Sequence, residues 1–184
     1  MFEVSIDGIS LQLASAPALF SPAKADAGTL AMLSTVRFEP TDKVLDLGCG
    51  YGLVGIFTAL KIGPDRVWMS DNDPVALDFA RRNVVQNGVA GVTVVESDGF
   101  HSLRDANFTK ILCNPPYHVD FSVPKHFIEK GFNRLAIGGA MFLVTKRRDW
   151  YLNKFKSIFG GARVHGRDYF VFEAIKKSNT YAGR

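Results

Sequence analysis

Lys43-Val44-Leu45-Asp46-Leu47-Gly48-Cys49-Gly50-Tyr51-Gly52-Leu53-Val54-Gly55-Ile56-Phe57 decides the fold. An apolar run runs straight into three glycines spaced two apart, and an apolar helical pattern follows. That is a strand, a tight turn and a helix. Glycine admits positive φ and lets backbone approach a ligand closely. In an open α/β sheet the ligand crevice lies where a strand ends and its helix begins.

The same alternation continues outward. Leu53 to Ile62 reads as a helix stopped by Gly63-Pro64, and Arg66 to Ser70 as a strand. Pro74 to Asn87 reads as a helix, with proline in its first turn and Gly88 just past its end. Val92 to Val95 and Thr109 to Cys113 are strands. Val123 to Ala136 is a helix, Ala140 to Thr145 a strand and Trp150 to Phe159 a helix. Ala162 to His165 and Tyr169 to Ile175 are two closing strands. Upstream, Val4-Ser5-Ile6 and Ile9-Ser10-Leu11 flank Asp7-Gly8, a strong hairpin signal. A loop at Phe20-Ser21-Pro22 and a helix from Asp26 to Val36 follow.

Strands alternating with helices predict an α/β fold, a Rossmann-like doubly wound, mostly parallel sheet with helices on both faces. The last two strands are joined by a few residues, too few for a parallel crossover, so the final strand must be antiparallel. One domain is expected: an N-terminal hairpin and loop over 1–22, and a core over 23–176.

Composition narrows the class. With 47% hydrophobic and 22% charged residues among 184, the chain has the make-up of a globular domain. Two cysteines exclude a disulfide scaffold and a four-thiolate zinc site. The histidines show no metal-ligand spacing, so no metal is expected. Cys49 and Cys113 read as small buried residues, since no histidine or basic group is paired with them to activate a thiolate. No apolar run reaches membrane-spanning length, and the N-terminus lacks a signal-peptide pattern. A cytoplasmic protein is expected. Charge is split: residues 1–92 hold 7 Lys/Arg against 10 Asp/Glu, and residues 93–184 hold 15 against 8. The basic half suits a polyanion.

The acidic residues at strand ends point to a ligand. Gly50-Tyr51-Gly52-Leu53-Val54-Gly55 also fits the dinucleotide pattern G-x-G-x-x-G. Asp46 argues against that, because a carboxylate there repels a pyrophosphate. Asp71 ends the second strand and Asp98 follows the third. A crevice lined by three carboxylates wants a ligand with donors along its length and no phosphates. S-adenosylmethionine has that character, with an ammonium, a sulfonium, a ribose diol and an adenine amine.

After the fourth strand comes Asn114-Pro115-Pro116-Tyr117. Two prolines fix φ and remove two N–H donors, and each disfavours helix in the residue before it. The Asn114 side chain and the Pro115 carbonyl are then fixed acceptors beside the flat ring of Tyr117. The arrangement suits a planar exocyclic amine attacking an activated methyl group. Catalysis would be mostly positioning and electrostatics.

These motifs resemble the class I S-adenosylmethionine-dependent methyltransferases. Phe20-Ser21-Pro22, Asp26-Ala27-Gly28-Thr29, Asn114 to His118 and Gly166 to Phe172 narrow the likeness to the small methyltransferase domain. It is nearest the catalytic domain of 16S ribosomal RNA guanine-N2 methyltransferases. The resemblance covers nearly the whole chain. It implies a seven-stranded sheet whose last strand is antiparallel. It implies that Asp46, Gly48, Cys49, Gly50 and Gly52 hold the methionine part of the cofactor. Asp71 with Asn72 would hold the ribose, and Asp98 with Gly99 the adenine. Phe20, Asp26 and Thr29 would lie over the cofactor, and Asn114, Pro115, Pro116 and Tyr117 would be catalytic.

The implied activity is methyl transfer to the exocyclic N2 of a guanosine in ribosomal RNA. The small ribosomal subunit is a candidate partner, and so is a second copy of the chain. The same motif serves adenine-N6 methyltransferases and enzymes that methylate a glutamine amide, so both stay open. A non-catalytic module that only holds cofactor or RNA is the alternative of another class. His118, Lys125, Lys146, Arg147 and Arg148 are candidate substrate contacts.

Overall fold

A computed structural model describes residues 1–115 and 120–183. Seven strands form one sheet, in the order β5-β4-β3-β6-β7-β9-β8. In chain order these are β3 (Val44–Leu47), β4 (Val67–Asp71), β5 (Thr93–Glu96), β6 (Phe108–Cys113), β7 (Leu135–Thr145), β8 (Arg163–His165) and β9 (Phe170–Ile175). β3 to β7 are parallel neighbours, and β9 runs antiparallel to both β7 and β8. The chain leaves β3 for β4 and β5 on one side, then returns to β6 on the other. The switch of direction falls between β3 and β6, and open α/β sheets bind ligands at such a point, beyond the strands' carboxyl ends.

Period-two alternation sorts side chains between two cores. Val44, Met69, Leu112 and Val144 face helices α1 (Ala27–Thr35), α2 (Leu53–Ile62) and α3 (Pro74–Gln86). Leu45, Leu47, Ile111 and Leu143 face α4 (Ser122–Arg134) and α5 (Arg148–Phe159). Asp46 shares the α2 side with Val44, the one charged position of β3.

The hairpin, β1 (Phe2–Ile6) and β2 (Ile9–Leu13), stays outside the main sheet. Asp7 and Gly8 both take positive φ, the geometry of a two-residue turn. Leu11 and Leu13 are fully buried. Two asparagines of the α3 region act as a strand edge for the hairpin. Asn87 exchanges bonds of 3.0 and 2.8 Å with the backbone of Gln12. Asn83 exchanges two of 2.8 Å with Ala14 and donates a third to the Tyr51 carbonyl.

Most boundaries fall within two residues of expectation, and the start of β7 differs most. α4 ends at Arg134, and β7 begins at Leu135 instead of Ala140. Gly138 takes positive φ, and a Cβ on Gly139 would sit 2.8 Å from the Phe108 carbonyl. The strand therefore bulges here, and its register with β6 shifts between Phe108 and Lys110. Lys176 clasps the bulge: its backbone pairs with Gly138 and Gly139, and its buried ammonium donates to the Leu135 carbonyl at 2.8 Å.

Candidate active site

The carboxyl ends of β3, β4 and β6 open into a cavity of about 330 Å³, within the range of small-ligand sites. The glycine loop forms its floor. The Gly48 and Cys49 amides donate to the Ser70 carbonyl at 2.8 and 2.9 Å. The Gly50 amide donates to Asp71 Oδ2 at 2.8 Å, and Asp71 Oδ1 accepts from the Asp73 amide at 3.0 Å. These loop N–H groups are spent inside the protein, so the loop offers no nest to a pyrophosphate. Asp71 is thus a brace for the loop as well as a cavity wall, and each of its oxygens keeps further acceptor capacity.

Gly52 and Gly55 do different work from the other glycines. Gly52 caps α2 at φ +97°, where a Cβ would strike Met69 Cε at 2.6 Å. It stands behind the cavity and does not line it. A Cβ on Gly55 would run into Met69 Cγ. The bare backbone there lets the Gly55 amide donate to Asp46 Oδ2 at 2.8 Å. Asp46 Oδ1 has no hydrogen bond among the described residues. Burial, reinforced by the neighbouring Asp71, pushes the Asp46 carboxyl up to about 7. Burial also raises the Cys49 and Cys113 thiols, with Asp46 and Asp71 adding to it, so both stay neutral and non-nucleophilic.

At the β6 end, Asn114 is fixed by residues far upstream. Its Nδ2 donates to Asp26 Oδ2 and to Thr29 Oγ1, both at 2.9 Å. The same Asp26 oxygen caps α1 by accepting from the Thr29 amide at 2.9 Å. A carboxylate accepts only, so the reversed amide would set oxygen against oxygen. The orientation is determined: the nitrogen faces the clamp. The Asn114 Oδ1 atom is buried and has no hydrogen-bond partner among the described residues, and the same holds for the Ser70 hydroxyl. Both residues line the cavity. A buried unpaired acceptor costs roughly 1–3 kcal/mol, a cost that a ligand donor relieves.

The cavity gathers Phe20, Asp26, Thr29, Asp46, Gly48, Cys49, Gly50, Asp71, Asn72, Asp98, Gly99, Asn114 and Pro115 along its lining. Asp98 and Asn72 are exposed at its mouth. Pro116, Tyr117 and His118 lie outside the described residues. Lys125, Lys146, Arg147 and Arg148 do not line the cavity; all four are exposed on the surface.

Parts of the wall escaped the sequence reading. Val123 and Phe127, one turn apart on α4, supply an apolar side. Their spacing just after the proline motif was the available signal. Tyr51 also lines the cavity, and its hydroxyl, pushed up to about 12 by burial, donates to the Ser21 carbonyl at 3.3 Å. This ties the glycine loop to the segment before α1.

A glycine-turn cavity at the switch point of a seven-stranded sheet, with an oriented asparagine at its β6 edge, defines a methyltransferase-type α/β site. The chain matches the methyltransferase small domain over residues 10–173, and it belongs to that family.

Among its relatives, the ribosomal RNA small subunit methyltransferase C of Colwellia psychrerythraea is 35% identical over 173 residues, covering 91% of this chain and 47% of the relative. The ribosomal RNA large subunit methyltransferase G of Alteromonas mediterranea is 34% identical over 161 residues, covering 81% and 39%. Among solved structures, the T. thermophilus 16S rRNA N2 G1207 methyltransferase in complex with AdoMet and guanosine superposes with a TM-score of 0.88. It is 27% identical, and the match covers 96% of this chain and 50% of that one. The chain spans about half the length of the curated relatives it matches. No helix among the described residues is long and apolar enough to cross a membrane.

Proposed function

We propose that this protein transfers a methyl group from S-adenosylmethionine to the exocyclic N2 of a guanosine in ribosomal RNA, in the cytoplasm, with the small ribosomal subunit or its RNA as substrate. The observation that carries the reading is the Asn114 amide, locked through its nitrogen, with its buried oxygen at the cavity and unpartnered among the described residues. Relatives that act on ribosomal RNA support the substrate class.

The cavity's set of acceptors fits the cofactor. Asp46 offers its unbonded oxygen to a cationic amino group, Asp71 to a ribose diol and Asp98 to an adenine amine. S-adenosylmethionine, when bound, would supply a sulfonium-activated methyl group, the methyl C–S bond breaking as the C–N bond forms and the neutral thioether leaving. Asn114 Oδ1 and the Pro115 carbonyl accept the two hydrogens of the target amine. As those hydrogens are drawn toward the acceptors, the nitrogen gives up conjugation with its ring and exposes a lone pair. The product ammonium is acidic and loses its proton to water, so no general base is required. The chain's contribution is placement and preorganised acceptors.

Labelled S-adenosylmethionine offered with small-subunit RNA, intact small subunits and protein extract tests the reading. N2-methylguanosine in the digested RNA is the expected product. N6-methyladenosine or methylglutamine would keep the chemistry and replace the substrate. Cofactor binding with no labelled product would point to a binding module.

A further inference from the structure

We propose that Lys146, Arg147, Phe121 and Trp150 form a docking rim for single-stranded RNA beside the cavity; the inference rests on the RNA-methylating reading above.

The rim is assembled at the same end of the sheet as the cavity. Lys146 and Arg147 follow Thr145, the last residue of β7, and the Arg147 amide donates to Thr145 Oγ1 at 3.1 Å. Tyr169 precedes β9, which runs antiparallel, so it reaches the same edge. Phe121 caps α4 two residues before Val123, which lines the cavity.

The rim cations differ in what holds them. Arg148 spends its charge on Asp149 at 3.3 Å. Lys146 and Arg147 instead take aromatic faces: Lys146 lies 5.0 Å from the Tyr169 ring centre, and Arg147 5.0 Å from that of Phe121. Phe121 is in turn stacked on Trp150, with centroids 4.5 Å apart and planes 25° from parallel. A guanidinium laid on a ring is oriented, yet its N–H groups stay open to an anion. Both cations are exposed, and the two stacked rings are half-buried.

Oriented cations on aromatic platforms match a single strand, whose phosphates need positive charge and whose unstacked bases need flat surfaces. A duplex keeps its bases stacked inside and would leave the rings unused. An acidic peptide would use the cations and also leave the rings unused.

The test measures binding of a fluorescein-labelled single-stranded RNA oligonucleotide by anisotropy across a salt series. Its duplex form and a poly-glutamate peptide serve as competitors. The double variant Lys146→Ala/Arg147→Ala should bind about tenfold more weakly. Its log affinity against log salt should be shallower by about 0.7 for each cation removed. Trp150→Leu should weaken binding about tenfold with an unchanged slope. Calorimetric affinity for S-adenosylmethionine should stay at the wild-type value in all of them, which also certifies the fold. Arg37→Ala/Arg66→Ala removes the same charge at the amino end of the strands and should lose little.

Equal losses in rim and control variants would overturn the proposal, as would displacement by the peptide but not by single strands. N2-methylguanosine formed in ribosomal RNA equally well by wild type and rim variant would also sink the rim and leave the functional reading standing. Rim-dependent strand binding with no N2-methylguanosine from the wild type would do the reverse.

Discussion

Asp26 Oδ2 and Asn114 Nδ2 lie 2.9 Å apart, joining residues 88 positions distant in sequence, and that oxygen also caps α1. One carboxylate thus starts a helix and orients an amide at the cavity. Asp26→Ala should cost about 1 kcal/mol of stability from the lost cap. It should also lower kcat roughly tenfold as Asn114 loses its orientation. Asp26→Asn retains an oxygen for both bonds and should restore most of each. Rescue of stability without rescue of kcat would show that Asp26 only caps.

Asn114→Ala removes an acceptor that matters most as the amine nitrogen rehybridises. A loss of about 1–3 kcal/mol, or roughly 10- to 100-fold in kcat, is expected. Cofactor affinity should barely change. Steady-state kinetics with separate calorimetry checks both; an unfolded variant would assign Asn114 a structural role instead.

Asp46 gives the stability of the ligand-free protein a pH dependence. Its carboxyl sits at about 7 folded, above the 3.8 of an unfolded chain. Between those values the folded state holds a proton that the unfolded state has lost. The part of stability that Asp46 contributes is therefore fully present below about pH 4 and is lost as pH rises through about 7. Asp46→Asn should remove this slope and raise Tm by several degrees at pH 8, with little gain at pH 4. It should also weaken S-adenosylmethionine, and wild-type binding at pH 6 should release a proton. Calorimetry in two buffers of different ionisation enthalpy reads that release.

Gly55→Ala places a methyl against Met69 Cγ and Sδ. Overpacking of this kind should cost about 1–3 kcal/mol. Shortening the neighbour with Met69→Ala in the same chain should recover part of it. A double-mutant cycle by chemical denaturation gives the coupling.

Much of this was legible beforehand because local chemistry and global fold agree. Leu53–Ile62 was bounded by its glycines, and Asp7-Gly8 turned as a hairpin. The antiparallel β9 followed from a connection too short for a crossover. The β7 start was not legible, because its bulge depends on Phe108 and Lys176, partners distant in sequence. For the same reason Asp26 read only as the start of a helix and a residue over the cofactor, and its cap and its bond to Asn114 stayed hidden. The bracing of the glycine loop by Asp71 was hidden too: the motif shows which residues lack a Cβ, not where their amides point.

The two outermost strands carry a further consequence. β8 has three residues and β5 has four, and both are flanked by exposed polar groups such as Arg163, Thr93 and Glu96. A sheet that is apolar on both faces invites association at any long open edge. Because β9 folds back between β7 and β8, the long β7 ladder is sealed from within. Among the described residues, the main sheet meets its neighbours in a crowded cell through short, polar margins.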